Sequence, residues 1–186
     1  MRTAGVLRAA GARCAFLASA ALALPAAATA ETYQAPEQFV AEAFGGAAPE
    51  PSALWFDDAL RAQAERTLGH AVTAARVRYW RSAERTVWIL EEIGKEQPIT
   101  AGFVVGAGGI ERARVLIYRE SRGWEVRLPA FTRQFDGARL NSAGELDRAI
   151  DGISGATLSV GALKRMARLA LLYHARVAES DGSRPH

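Results

Sequence analysis

A predicted loop of mostly small residues, Asp151-Gly152-Ile153-Ser154-Gly155-Ala156-Thr157-Leu158-Ser159, leads into the clearest helical pattern of this chain. Directly after this loop, mostly apolar residues recur at intervals of three and four: Val160, Leu163, Ala167, Ala170, Leu171 and His174. This spacing places them on one face of a helix. The sequence therefore predicts a loop that leads into an amphipathic helix near the C-terminus, with Thr157 or Ser159 as its N-cap.

The loop combines a hydroxyl group with a backbone that a bulky ligand can approach. Thr157 supplies a nucleophilic hydroxyl. Gly152 and Gly155 lack a Cβ, so they can adopt conformations that other residues avoid and leave room for a ligand. Thr157 would lie at a helix N-terminus, where unpaired N–H groups and the positive end of the dipole favour an anion.

These nine residues resemble the flavinylation motif of the FMN-binding domain family, which includes soluble periplasmic flavoproteins and the flavin-carrying subunits of membrane sodium- and electron-pumping complexes. In that family the threonine of the Ser-Gly-Ala-Thr core forms a phosphoester with FMN. The resemblance implies covalent FMN on Thr157, and a cofactor site that includes the other motif residues Asp151, Gly152, Ser154, Gly155, Ala156 and Ser159. It also implies a Mg-dependent flavin transferase that uses FAD.

Two points within the motif stay open. The negative charge of Asp151 is unfavourable beside a phosphate. We therefore interpret this residue as a turn cap or as a residue that the modifying enzyme recognises. The alternative for the whole motif is an ordinary Gly- and Ser-containing loop before a helix.

A second segment is similar to the one that precedes the flavin loop in short periplasmic members of the family. It runs from Tyr118 to Val126 and continues through Phe131 to Gly137. Together, the two resemblances cover about residues 72–175. The resemblance suggests that Tyr118, Trp124 or Phe131 forms an apolar wall for the isoalloxazine ring and that an arginine contacts the flavin. The candidate cofactor-binding residues of this segment are Tyr118, Glu120 and Trp124. The other interpretation is a strand, a turn at Arg122-Gly123 and a second strand with solvated charges.

Residues 1–30 have the pattern of a secretory signal peptide. Three arginines precede an apolar core from Cys14 to Leu24, and Ala28-Thr29-Ala30 has the A-x-A form of a cleavage site. We expect cleavage near Ala30 and a periplasmic or otherwise extracytoplasmic protein. An uncleaved anchor is the alternative, which the short apolar run and Pro25 disfavour.

Removing the signal peptide changes the charge of the chain. The full sequence has 23 Lys and Arg against 20 Asp and Glu. The signal peptide holds three of the arginines and no acidic residue, which leaves 20 of each in the mature chain. A neutral mature chain gives no argument for nucleic acid as a partner.

The cysteine and histidine content restricts the redox chemistry. Cys14 is the only cysteine, and it lies in the predicted signal peptide. Disulfides, Cys-ligated clusters and a C-x-x-C-H haem site are therefore excluded from the mature chain. No pair among His70, His174 and His186 has metal-ligand spacing, so we predict no metal site, and His174 is interpreted as a packed core residue.

The remaining sequence predicts an α+β fold, mainly an antiparallel sheet with flanking helices. We assign residues 31–70 to an N-terminal helical segment, 71–180 to the FMN-binding domain and 181–186 to a tail. The N-terminal segment is expected to hold a helix from Pro36 to Phe44 and a second one capped by Ser52 and running to about Leu68.

The domain itself is expected to begin with strands that hairpins connect. The strands are expected near 76–80, 86–92, 99–105, 112–118 and 124–128. Gly106-Ala107-Gly108-Gly109 is interpreted as a hairpin turn, since Glu111 replaces the last glycine of a dinucleotide-binding pattern. Ser142 and Glu145 have the spacing of a capping box for a short helix.

The function favoured by these patterns is that of an exported flavoprotein that carries electrons through FMN on Thr157, with a membrane or soluble redox partner. The sequence contains no convincing acid–base pair beside the motif, so we assign no catalytic residue. An FMN-dependent reductase of a small extracytoplasmic substrate and a non-redox binding module remain the alternatives.

Overall fold

The computed structural model describes residues 30–182; residues 1–29, which make up nearly all of the predicted signal peptide, lie outside the described residues. Six strands form one sheet: β1 (Glu31–Thr32), β2 (Ser52–Trp55), β3 (Arg76–Ser82), β4 (Arg85–Ile93), β5 (Pro98–Gly106) and β6 (Gly109–Tyr118). The helices are α1 (Pro36–Ala43), α2 (Asp58–Leu68), α3 (Pro129–Thr132) and α4 (Thr157–Gly182). Every neighbouring pair is antiparallel, in the order β1-β6-β5-β4-β3-β2. The predicted α+β class is confirmed.

The four longest strands follow one another as hairpins, as their alternating and β-branched sequences predict. The β5–β6 turn pairs Gly106 with Gly109, and Gly109 has a φ of 106°. A side chain disfavours this left-handed conformation, which explains the glycine. The interpretation of this segment as a hairpin turn is confirmed.

The two faces of the sheet are covered unequally. Helix α4 packs on β4, β5 and β6, on what we term the α4 face, where the larger core contains Trp88, Phe103, Phe135 and Met166. Helix α1 packs on β4 and β5 from the opposite side, the α1 face, where a small cluster surrounds Phe39. The functional motif is attached to the helix of the larger core.

The predicted N-cap role of Ser52 is wrong. Ser52 begins strand β2, which pairs with β3 from Ser52↔Tyr79 to Trp55↔Arg76. Helix α2 begins three residues after β2, and its N-cap is Asp57, whose Oδ1 accepts a hydrogen bond of 2.8 Å from the Leu60 N–H. The long-range pairing of an edge strand overrides the local capping signal.

The predicted strand from Trp124 to Leu128 is also wrong. Gly123 adopts a φ of 83°, and Trp124–Arg127 forms a 3₁₀ helix. The chain therefore turns back rather than extending the sheet. Val126 is buried, whereas Trp124 is 45% exposed. The alternating apolar residues of this segment therefore do not form one buried strand face, and Val126 is the residue that anchors the turn in the core.

The expected short helix after Ser142 does not form. The Asn141 side-chain oxygen accepts hydrogen bonds from the backbone N–H groups of Ala143 (2.9 Å) and Glu145 (3.0 Å). Leu140 and Leu146 form an isolated antiparallel bridge on either side of this turn. Asn141 thus binds the amides that a helix would need, which favours a tight turn over the predicted capping box.

Candidate functional site

The motif loop is anchored at both ends and exposed between them. Ile150 and Ala156 are buried in the α4-face core, while Asp151, Gly152 and Ser154 are exposed. The backbone N–H of Asp151 donates to Gln134 Oε1 at 2.7 Å, which ties the start of the loop to the preceding segment. The loop is therefore held by its ends, and its middle is accessible to another molecule.

Thr157 is the first residue of α4, and its side chain is exposed. The Ala156 carbonyl accepts the first helical hydrogen bond, from the Val160 N–H at 2.9 Å. Neither Thr157 nor Ser159 is therefore the N-cap, and that expectation is wrong. Within residues 30–182 the Thr157 hydroxyl has no hydrogen-bond partner, so it is available for reaction.

Gly155 contributes a backbone conformation rather than space. Its φ is 80°, and a Cβ added there would meet no atom within 4 Å. Gly152 has no left-handed φ and an equally open surrounding. Of the two glycines that the sequence indicated, Gly155 is the one whose conformation disfavours any side chain.

Ser159 lies behind the loop and joins it to β6. Its Oγ is 3.0 Å from the hydroxyl of Tyr118, which also donates a short hydrogen bond to the Arg122 carbonyl. Burial raises the pKa of Tyr118, so this phenol remains a neutral hydrogen-bonding group. A Cβ on Gly123 would lie 2.9 Å from the Tyr118 hydroxyl and 3.0 Å from the Ala156 Cβ. This close packing fixes the start of α4 against the turn that follows β6.

Glu120 organises the opposite wall of the site. Its carboxylate accepts hydrogen bonds from three consecutive backbone N–H groups of the β4–β5 loop, those of Lys95, Glu96 (2.7 Å) and Gln97 (3.0 Å). Burial alone would raise the pKa of Glu120, but these three donors hold it below its ordinary value. Glu120 is thus ionised and holds the β4–β5 loop through its Oε1, which accepts all three hydrogen bonds.

A cavity of about 570 Å³ separates these two walls. One side consists of Gly155, Ala156, Thr157, Leu158 and Ser159, and the other of Lys95, Glu96, Glu120, Ser121 and Arg122. The cavity places the Thr157 end of α4 opposite Arg122 and the Lys95–Glu96 ion pair. The arrangement suits an elongated ligand with an anionic group near Thr157.

The structure brings together some of the predicted site residues and separates others. Asp151, Gly152 and Ser154 do not line the cavity. Trp124 lies beside the guanidinium of Arg127, 5.0 Å from ring centroid to Cζ, and Phe131 packs in the core against Phe135. Neither ring lines the cavity, so the expected apolar wall from Trp124 or Phe131 does not form there.

Sequence reasoning missed the contribution of the β4–β5 loop, residues 94–97. No local pattern identifies it, because its role depends on Glu120, more than 20 positions later. The clearest signal was the run of polar residues at a hairpin end, Lys95, Glu96 and Gln97, which is also typical of a solvated turn.

Two further findings concern metals and membranes. Within residues 30–182 no group of three or more His, Cys, Asp or Glu residues has the arrangement to hold a metal ion. In the same range, no helix combines the length and the apolar character that crossing a bilayer requires.

Comparison with known proteins assigns the part of the chain that contains this site. No curated protein matches the chain. Residues 94–172 match the sequence model of the FMN-binding domain family, and this range begins at the β4–β5 loop and includes both walls of the cavity and most of α4. The match supports FMN as the cofactor. Residues 94–172 of this chain therefore match the FMN-binding domain family, which indicates a flavin-binding protein.

Proposed function

We propose that this protein is an exported electron carrier whose FMN is attached covalently to Thr157 through a phosphoester. The observation that carries the proposal is the position of the Thr157 hydroxyl. It is exposed and unbonded at the N-terminus of α4, and it lines the cavity of about 570 Å³ within the matched domain.

The residues around the cavity fit FMN in charge and in size. The first N–H groups of α4 have no acceptor within the helix, and they favour a phosphate on the adjacent residue. In the lining, Lys95 pairs with Glu96 at 3.1 Å and Glu120 accepts three backbone hydrogen bonds, so Arg122 and the N–H groups of α4 supply the positive potential for a phosphate. A volume of about 570 Å³ lies within the range of about 300–1,000 Å³ that is usual for small-molecule sites.

Attachment would proceed by transfer of a flavin phosphate to the threonine. In the transferase, the Thr157 oxygen attacks the phosphorus on the FMN side of FAD. The Oγ–P bond forms, the bond between the two phosphates breaks, AMP leaves, and the hydroxyl proton passes to a base of the transferase. The Mg²⁺ belongs to that enzyme and neutralises the leaving phosphate. The exposed middle of the motif loop gives the transferase access to Thr157.

FMN supplies the redox chemistry when it is bound. The residues of this chain hold and position it: α4 fixes the phosphate end, and the clamp of Glu120 on the β4–β5 loop keeps the opposite wall in place. Leu158, which lines the cavity, is 54% exposed, so an apolar contact at the mouth is accessible to a redox partner.

The test is expression with a flavin transferase, followed by intact mass and peptide mapping. The wild-type protein should gain the mass of FMN less one water on the peptide that contains Thr157. Thr157→Val keeps the β-branched shape and removes the nucleophile, so it should gain none, and Thr157→Ser should accept FMN less efficiently. Ser154→Ala is the matched control, because Ser154 is an exposed hydroxyl of the same loop outside the cavity lining. Covalent flavin on the valine variant would refute the assignment.

Further measurements separate the three functional classes. Covalent flavin with fast electron exchange, but without turnover of small substrates, supports a carrier. Turnover of a small substrate supports the reductase, and an unmodified wild-type chain beside an active transferase leaves only the binding module. Export is tested by N-terminal sequencing, which should begin at Glu31 or within a few residues of it.

A further inference from the structure

A second cavity, of about 560 Å³, lies along the open edge of β6. Strand β1 pairs with β6 only at Ile117 and Tyr118, and the backbone of Gly137 and Ala138 bonds to Ile110 at the other end. The cavity occupies the interval between these two contacts. We term it the arginine groove, because Arg112, Arg114, Arg127 and Arg133 line it. It shares no lining residue with the cavity at Thr157.

The positive charge of the groove is not balanced by its own carboxylates. Glu111 and Asp136 line it, but Glu111 forms a 2.7 Å ion pair with Arg85 outside the groove. Arg112 forms a long ion pair of 3.8 Å with Glu42 outside the groove, whereas Arg114, Arg127 and Arg133 have no carboxylate within ion-pair distance among residues 30–182. Burial raises the pKa of Asp136, although neighbouring arginines oppose this shift. The guanidinium groups therefore repel one another unless an anion lies between them.

Three of these guanidinium groups are held by neighbouring residues. The Arg127 guanidinium lies over the Tyr33 ring at 4.3 Å and over the Trp124 ring at 5.0 Å. Arg114 Nη1 donates to Gln34 Oε1 at 2.9 Å, and Arg133 Nε donates to the Pro129 carbonyl at 3.2 Å. A held guanidinium loses little conformational entropy when it binds a ligand, since the planar fork is already oriented.

Two buried donors in the groove lack acceptors. Gln34 is 7% exposed, and its Nε2 has no hydrogen-bond partner among the described residues. The same is true of Arg127 Nε. Buried polar groups in native proteins are usually satisfied, so these two donors beside a groove of positive charge favour a ligand rich in oxygen.

We propose that the arginine groove binds a small molecule that carries two or more carboxylate or phosphate groups. Guanidinium forks bind these groups through two parallel hydrogen bonds, and several forks around one cavity require several anionic groups. The volume of about 560 Å³ suits such a ligand. The two cavities share no lining residue, and the groove adjoins the flavin loop through the Gly123–Arg127 turn and through Gln134, which follows Arg133 and binds the Asp151 N–H.

The test is isothermal titration of the exported, mature protein with citrate and with pyrophosphate at constant ionic strength. Saturable binding of at least one of them is expected, with no binding of acetate. Arg114→Gln and Arg127→Gln should each weaken binding about tenfold, the loss expected for one charge-assisted hydrogen bond. Arg66→Gln, which removes an exposed arginine of α2 outside the groove, and Thr157→Val should bind like the wild type.

Circular dichroism and thermal melts must show that both groove variants are folded. Arg127→Gln loses the contacts of Arg127 with the Tyr33 and Trp124 rings and could unfold for that reason. In that case the binding measured for Arg114→Gln alone tests the proposal. The proposal is overturned if neither polyanion binds, if acetate binds equally well, or if Arg66→Gln lowers the affinity as much as the groove variants. Binding of an acidic peptide alone, such as hexaglutamate, would also overturn it and identify the groove as a contact for an acidic protein.

Discussion

The two faces of the sheet use the same strands for different purposes. The α1 face is a small apolar cluster beneath an eight-residue helix, and its ion pair between Arg112 and Glu42 is exposed and long, at 3.8 Å. The α4 face combines the large core with a buried ion pair and with the loop that bears Thr157. On the α4 face, the packing that stabilises the fold also positions the loop that bears Thr157. On the α1 face, the packing stabilises the fold without contacting that loop.

The largest expected effect compares one buried phenylalanine from each face. Phe135→Ala should cost about 4 kcal/mol and Phe39→Ala about 3 kcal/mol in unfolding free energy, measured by urea denaturation. Phe135 loses edge-to-face contacts with Phe103 and Phe131 in addition to its burial. It also follows Gln134, which holds the motif loop, so flavin attachment should fall in this variant and not in Phe39→Ala. Equal flavin loss in both variants would contradict the separation of the faces.

The second prediction compares the ion pairs of the two faces. Arg165 donates to the Glu92 carboxylate at 2.8 and 3.1 Å, and Glu92 is 5% exposed. Arg165→Met leaves this carboxylate buried with only His70 beside it, and should cost about 3 kcal/mol. Arg112→Met removes the exposed pair and should cost less than about 0.5 kcal/mol.

A double variant tests the reason for that difference. Replacing Glu92 by Leu together with Arg165→Met removes the buried charge as well as its partner. It should recover more than half of the stability lost in Arg165→Met, as measured by urea unfolding. No recovery would show that Arg165 stabilises through packing rather than through charge.

The third prediction compares two left-handed glycines. Gly45→Ala, after α1, meets no neighbour and should cost about 1 kcal/mol for its backbone conformation alone. Gly123→Ala also collides with the Tyr118 hydroxyl and Ala156, so it should cost about 2 kcal/mol or more. It should also slow flavin attachment, because it displaces the start of α4. Attachment rates that are equal in the two variants would show that Gly123 does not position the site.

The smallest expected effect is a pH dependence of the α4 face. Hydrogen bonds from His70 to the Ala71 carbonyl (3.1 Å) and to Glu92 (3.1 Å) raise the pKa of His70 above its ordinary value. Protonated His70 therefore contributes fully to the free energy of unfolding below a pH of about 6.5. This contribution is lost as the pH rises through the raised pKa of His70. His70 is about half exposed, so the effect should be about 0.5 kcal/mol.

The measurement for His70 is the melting temperature of the wild type and of His70→Gln between pH 5 and pH 9. The difference between them should shrink as pH rises. His174, whose pKa is lowered by burial, acts in the opposite direction but is present in both proteins and cancels. A difference that is constant across this range would exclude the ionised His70–Glu92 contact.

Much of the fold could be predicted because its signals are local. The period of Val160, Leu163 and Ala167 predicted α4, and the β-branched runs predicted β3 to β6. The predictions are wrong where contacts outside the local sequence pattern determine the conformation of a segment. Strand β2 forms because β3 provides its hydrogen bonds, and the capping-box signal at Ser142 is lost to a turn that Asn141 closes. The 3₁₀ turn at Trp124 depends on the position of Tyr118 in the sheet.

Local sequence patterns were sufficient to predict the α+β class, the likeness of residues 94–172 to the FMN-binding domain family and a threonine before a long helix. These properties follow from periodicity and residue type, which are readable within a few positions. Folding places Glu120 and the β4–β5 loop opposite Thr157 and brings four arginines along one groove. Glu120 meets the N–H groups of residues 95–97, and Arg127 meets Tyr33, because the folded sheet brings distant segments together. Such contacts depend on the register of strands and the direction of turns, and no local sequence pattern encodes either.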